Sequence, residues 1–76
     1  MKMIDNSECL CDFGNWIREE RERRELSQGE VARMLGIHQT YYGRIELAQR
    51  EVDFVTAVNI CAILELDISD FLKRYM

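Results

Sequence analysis

Seventy-six residues with 47% hydrophobic side chains, no proline and a formal net charge of −4 predict one compact all-helical domain, with no room for a separate catalytic or ligand-binding unit. No stretch of ~20 apolar residues is available to span a membrane, and the opening MKMIDNSECLCD lacks the apolar run of a secretory leader. Cys9, Cys11 and Cys61 are odd in number and make no disulfide framework, so a reducing cytoplasm is the expected compartment.

Residues 1–11 show no clear periodicity and are expected to form a mobile or loosely docked arm, with the folded domain at 12–76. Cys9 and Cys11 stand two apart with one distant histidine, His38, which is poor spacing for a metal. They are expected to be free thiols, and neither a metal nor a cofactor is called for. Asp12 is placed to cap a first helix, in which Phe13, Ile17 and the aliphatic stems of Glu20 and Arg21 recur at helical spacing beside Trp16. The segment REERERRE alternates charge, and the i,i+4 pairs Glu20–Arg24 and Glu19–Arg23 are expected to stabilise a solvated face by ~0.2–0.5 kcal/mol each.

Next comes LSQGEVARMLGIHQTYYGRIE, which reads as two short helices around a glycine turn. Ser27 and Glu30 form a capping box. Val31, Ala32 and Leu35 line one face, and Gly36 takes the left-handed position that ends the helix. After Ile37 a further helix begins near His38 or Gln39. Its Tyr42 and Ile45 point inward and leave Gln39, Thr40, Tyr41 and Arg44 outward. Gln and Arg can bond bidentately to adenine and guanine edges in a major groove, and Thr offers a methyl to thymine. An ordinary helical hairpin fits the same spacing.

Asp53 is placed to cap a fourth helix carrying Phe54, Val55, Val58, Ile60, Cys61, Ile63, Leu64 and Leu66. Apolar on most sides, it is expected to run through the core, with Cys61 a buried, inert filler. Ser69 is placed to cap a last short helix with Phe71, Leu72 and Tyr75. Catalysis finds no support: the single histidine has no evident cysteine or serine partner, and no glycine loop cradles phosphate.

From Phe13 to Tyr75 the chain resembles the lambda-repressor-like family of small DNA-binding domains, the Cro/repressor or Xre type. FGNWIREER, LSQGEVARMLGI, HQTYYGRIE, REVDFVTAVNICAILEL and SDFLKRY match its helices in order. The joint spacing of Arg21, Gln28, Ala32, Gly36, Ile45 and Glu46 is the most specific part. The resemblance implies five helices with a helix-turn-helix at the second and third, and a structural bridge from Arg21 to Glu46. It places Gln28 against a phosphate and the recognition helix, Gln39 and Thr40 deepest in the groove, and Arg44 one turn beyond Thr40. Tyr41, Gln49 and Arg50 then meet the sugar-phosphate backbone, and His38 is a weak cap or phosphate neighbour. Four residues depart from the pattern: Gly43 inside the recognition helix, Ala48 where glycine is usual, Tyr42 in place of an aliphatic residue, and Ala57 where leucine is common.

The acidic total argues against a nucleic-acid partner, but its distribution does not. Between Ile37 and Arg50 the charges are Arg44, Glu46 and Arg50, while the acidic excess lies in Asp5, Glu8, Asp12, Glu51, Asp53, Glu65, Asp67 and Asp70. The resemblance implies a transcription regulator that binds double-stranded DNA as a homodimer, with two recognition helices ~34 Å apart on a near-palindromic operator. Leu66, Ile68, Leu72 and Tyr75 are the expected dimer surface, and no small-molecule effector is indicated. Controller of a restriction-modification operon, phage or plasmid repressor, and antitoxin are the settings that fit. A protein-interaction module that has kept the fold without DNA binding is the reading from another class.

Overall fold

A computed structural model describes residues 3–76 as five α-helices and a closing 3-10 turn: α1 (Asn6–Arg23), α2 (Gln28–Leu35), α3 (Gln39–Glu46), α4 (Phe54–Ile63) and α5 (Ile68–Leu72), then Lys73–Tyr75. The described residues contain no strand. α3 lies against α1 and α2, and α2 also packs on α4. The side chains wholly withdrawn from solvent are Ile17, Val31, Tyr42, Ile45, Ile60 and Leu64, contributed by each of the first four helices or their ends.

α1 starts earlier than the sequence suggests. Asp5 caps it by accepting the Glu8 amide at 2.8 Å, so residues 6–11 are helical and do not form a mobile arm. Asn6 also donates to Glu51 at 2.9 Å, tying the first turn to the segment after α3. Only the first two residues of the expected arm lie outside the described part. Asp12 is therefore no cap. It lies within α1 and accepts a hydrogen bond from the Tyr75 hydroxyl at 2.5 Å.

Among the expected charge pairs, Arg24 does bond Glu20, at 2.6 Å. Arg23 turns to Glu20 at 3.1 Å and does not take Glu19, because a carboxylate three residues back is as close on a helix as one four back. Arg24 also reaches Glu65 at 2.8 Å, linking the ends of α1 and α4.

The first four helices stop in the same way. Glu25, Gly36, Ala48 and Glu65 each take a left-handed conformation, with φ of 58°, 71°, 60° and 55°. The next amide then bonds the carbonyl five residues back: Leu26 to Arg21, Ile37 to Ala32, Gln49 to Arg44 and Leu66 to Cys61, at 2.8 to 3.1 Å. This double-bonded ending satisfies carbonyls that a helix terminus leaves open. It holds even at Ala48, where the family's usual glycine is missing.

α4 corrects a second expectation. Asp53 does cap it, accepting the Thr56 amide at 2.7 Å, but the helix does not run through the core. Ile60 and Cys61 are buried, whereas Phe54, Val55 and Val58 are 81%, 66% and 47% exposed. Its hydrophobic surplus exceeds what the neighbouring helices of this small chain cover. α5 is capped by Asp67, which accepts the Ser69 amide at 3.0 Å. Ser69 thus lies inside the helix and is not its cap. Phe71 seats α5 on α1 by an edge-on contact with Phe13 at 5.7 Å and a tilted one with Trp16 at 5.2 Å.

Candidate nucleic-acid interface

The capping box of α2 is complete. Ser27 Oγ accepts the Glu30 amide at 3.0 Å, and the Ser27 amide donates to Glu30 Oε1 at 2.9 Å. That backbone bond holds the Glu30 carboxyl below its usual range. Gly36 then turns the chain, and His38 takes the cap position of α3 in extended conformation with no side-chain capping bond. His38 is therefore no side-chain cap. Gln39, Thr40 and Arg44 are exposed on the outer face of α3, while Tyr42 and Ile45 are buried on the inner one.

Three side chains fix the far end of α3. Arg21 Nε and Nη2 donate to the two Glu46 oxygens at 2.7 and 3.0 Å, a bidentate, buried pair. The third arm, Arg21 Nη1, holds the Leu26 carbonyl at 2.8 Å. Gln28 Nε2 then donates to Glu46 Oε1 at 3.0 Å. Burial pushes the Glu46 carboxyl up. Hydrogen bonding from Arg21 and Gln28, with the Tyr42 hydroxyl nearby, outweighs it and holds the group below the usual carboxylate range. The Tyr42 hydroxyl itself is buried without a hydrogen-bond partner. Burial first, and then the Glu46 charge, push its ionisation well above the ordinary value. The carboxylate is the charged member and the phenol the neutral one.

Two glycines make this approach possible. A Cβ at Gly43 would lie 3.1 Å from Gln28 Oε1, so Gln28 occupies the space that a side chain at position 43 would fill. Gly43, which departs from the family pattern, has its reason inside the protein. At Gly14 a Cβ would sit 2.8 Å from the Ile45 carbonyl oxygen and nearer still to that of Glu46. Only a glycine lets α1 cross the end of α3 so closely. Gly14 gives no signal in the sequence until the helix against it is known.

Gln28, His38, Gln39, Thr40, Gly43, Arg44 and Leu47 border one open hollow of about 430 Å³ over α2 and α3. Tyr41 stands half-buried beside it, with the Arg50 guanidinium stacked 5.3 Å from its ring centre. Gln49 and Arg50 are exposed in the following loop. Leu47, 61% exposed, was not anticipated, although its spacing of seven from Thr40 puts it on the same helix face.

A second, apolar groove of about 510 Å³ runs between α4 and α5, lined by Phe54, Ala57, Val58, Cys61, Ala62, Leu66, Asp67 and Ile68. Leu66 and Ile68 are thus brought together, and Leu72 is exposed nearby in sequence. Tyr75 is turned the other way, edge-on to Phe71 at 5.6 Å and bonded to Asp12. Phe54 and Val58, absent from the expected surface, take its place.

Cys9, Cys11 and Cys61 are free thiols. Burial, then Asp12 and Glu8, push Cys9 up, and burial, then Asp67, does the same for Cys61. Neither is an activated thiolate. Among the described residues no group of three or more His, Cys, Asp or Glu side chains is arranged to hold a metal ion. No described helix is long and apolar enough to cross a membrane.

Two short helices joined at a left-handed glycine, the second presenting a polar outer face and clamped from behind, define a helix-turn-helix protein. Residues 17–71 match the helix-turn-helix family model HTH_3, and the chain belongs to this family. It is 31% identical over 58 residues to the control protein C.SmaI of Serratia marcescens, covering 76% of this chain and 69% of that one. It is also 34% identical over 61 residues to the uncharacterized HTH-type transcriptional regulator YqaE of Bacillus subtilis (strain 168), covering 80% of this chain and 53% of YqaE. The chain thus spans about half the length of YqaE. Its fold superposes with a TM-score of 0.75 on the crystal structure of the restriction-modification controller protein C.AhdI from Aeromonas hydrophila. The two are 31% identical, over 80% of this chain and 92% of C.AhdI.

Proposed function

We propose that this chain is a sequence-specific regulator of transcription that binds double-stranded DNA as a homodimer on a near-palindromic operator. The observation that carries the reading is the outer face of α3. Gln39, Thr40 and Arg44 stand exposed in one hollow, while Arg21, Gln28 and Glu46 hold the helix from behind. Reading requires side chains free to meet base edges and a support that does not move. Tyr41, Gln49 and Arg50 would meet the backbone at the flank, with His38 and Gln28 near the phosphates. The protein would act in the cytoplasm, at the nucleoid.

The apolar groove between α4 and α5 supports self-association, since a two-fold axis through it would bury the same patch on both copies. The likeness to C.SmaI and C.AhdI supports the control of a restriction-modification operon as the setting. A protein-interaction module would be indifferent to the recognition face, so Arg44→Ala separates the two. We expect it to weaken the specific complex by about 1–3 kcal/mol and to relax one base position, as measured by fluorescence anisotropy across single-base operator variants. An unchanged affinity and profile would remove Arg44 from the site.

A further inference from the structure

Leu47 is a large aliphatic side chain on an otherwise polar face. It is 61% exposed and belongs neither to the core nor to the residues packed on it, nor to the lining of the α4–α5 groove. It borders the recognition hollow together with Thr40, Gly43 and Arg44. Positions 40, 43, 44 and 47 follow the i, i+3, i+4, i+7 row of one helix face. Gly43 offers no side chain in the middle of that row, and the Gln28 amide, bonded to Glu46, packs over it in place of one. The hollow is thus backed by the Gln28 amide, with Thr40 toward one end and Leu47 toward the other, about 10 Å apart along the axis.

A leucine cannot read hydrogen-bond donors or acceptors. The apolar group that an unmodified base pair presents in the major groove is the C5-methyl of thymine. We propose that Leu47 is a specificity-determining residue, receiving a thymine methyl against its exposed side chain where it borders the recognition hollow beside Gly43 and Arg44. This deepens the DNA-reading function proposed above and rests on it. Burying one methyl group is worth about fourfold in affinity per half-site.

The test uses the full chain and an operator recovered by selection from random duplexes. Each thymidine is replaced in turn by deoxyuridine, which removes the methyl and keeps every hydrogen-bonding group. Affinities are compared for wild type, Leu47→Met and Leu47→Ala. Wild type and Leu47→Met should lose about fourfold at one thymine per half-site, and Leu47→Ala should lose nothing there. The role of Leu47 is overturned if Leu47→Ala keeps the wild-type pattern of losses, or if no thymine methyl matters to wild type. If folded wild type selects no operator at all, the DNA-reading function itself falls, and this inference with it.

Discussion

Glu46 ends α3 inside the protein, where a lone carboxylate would be costly, and Arg21 meets it with both arms of a guanidinium. The pair predicts a pH dependence of known sign. The Glu46 carboxyl lies below its ordinary 4.5 in the folded state, so the unfolded chain binds the proton more readily. Its contribution is complete above about pH 4.5 and is lost as the pH falls through the lower folded value. Urea midpoints should therefore fall below pH 4.5, and Glu46→Gln should flatten that acid limb. A variant with the wild-type acid slope would contradict the assignment. Gly43 makes a second prediction. Alone, Gly43→Ala gains helix propensity but crowds Gln28, and the two effects oppose. In a Gln28→Ala background the crowding is gone, so the same change should stabilise by about 1 kcal/mol. Equal effects in both backgrounds would show that Gln28 is not the reason for the glycine. The Arg21–Glu46 pair was legible in the sequence through the family resemblance. The place of Gln28 against the recognition helix came with that resemblance, but its bond to Glu46 and Gly14 as a crossing point were not legible, because both depend on distances between helices.

At the scale of elements, the turn between α2 and α3 was legible because its signals are local: a capping box, an apolar stripe and a glycine. The start of α1 was not. Asp5 and Asp12 both stand where a cap belongs, and apolar spacing appears only from Phe13. Asp5 takes the Glu8 amide, and Asn6 bonds Glu51, a contact 45 residues away in sequence that no local pattern displays. Asp67 and Ser69 posed the same ambiguity two residues apart. Ala48 shows how strongly the helix-ending bonds act, since they hold an alanine at φ 60°. Glycine suits that conformation better, so Ala48→Gly should stabilise by about 0.5–1 kcal/mol, seen as a raised unfolding midpoint. A lowered midpoint would mean that the alanine methyl makes a packing contact worth more than the backbone strain. α4 was misplaced for a different reason. Hydrophobicity shows that a surface must be covered, not whether this chain or a second copy covers it.

For the whole molecule, Phe54, Val55, Val58, Ile68 and Leu72 stand exposed along α4 and α5, more apolar surface than a lone small domain ordinarily leaves in water. In the proposed dimer this is the buried face. Phe54→Glu should then give monomers in analytical ultracentrifugation and sharply weaker operator binding, with the fold kept, because the side chain is 81% exposed. A variant that still sediments as a dimer would move the interface elsewhere. The net charge of −4 limits phosphate contacts per copy, so in the proposed dimer tight binding would depend on two copies engaging one site. The most direct test of a dimeric operator-binding regulator is selection of wild-type binders from a random duplex pool at near-physiological salt, followed by sequencing. An enriched two-fold-symmetric motif, with half-sites one helical turn apart, is the predicted result. No enrichment from protein shown to be folded would contradict it.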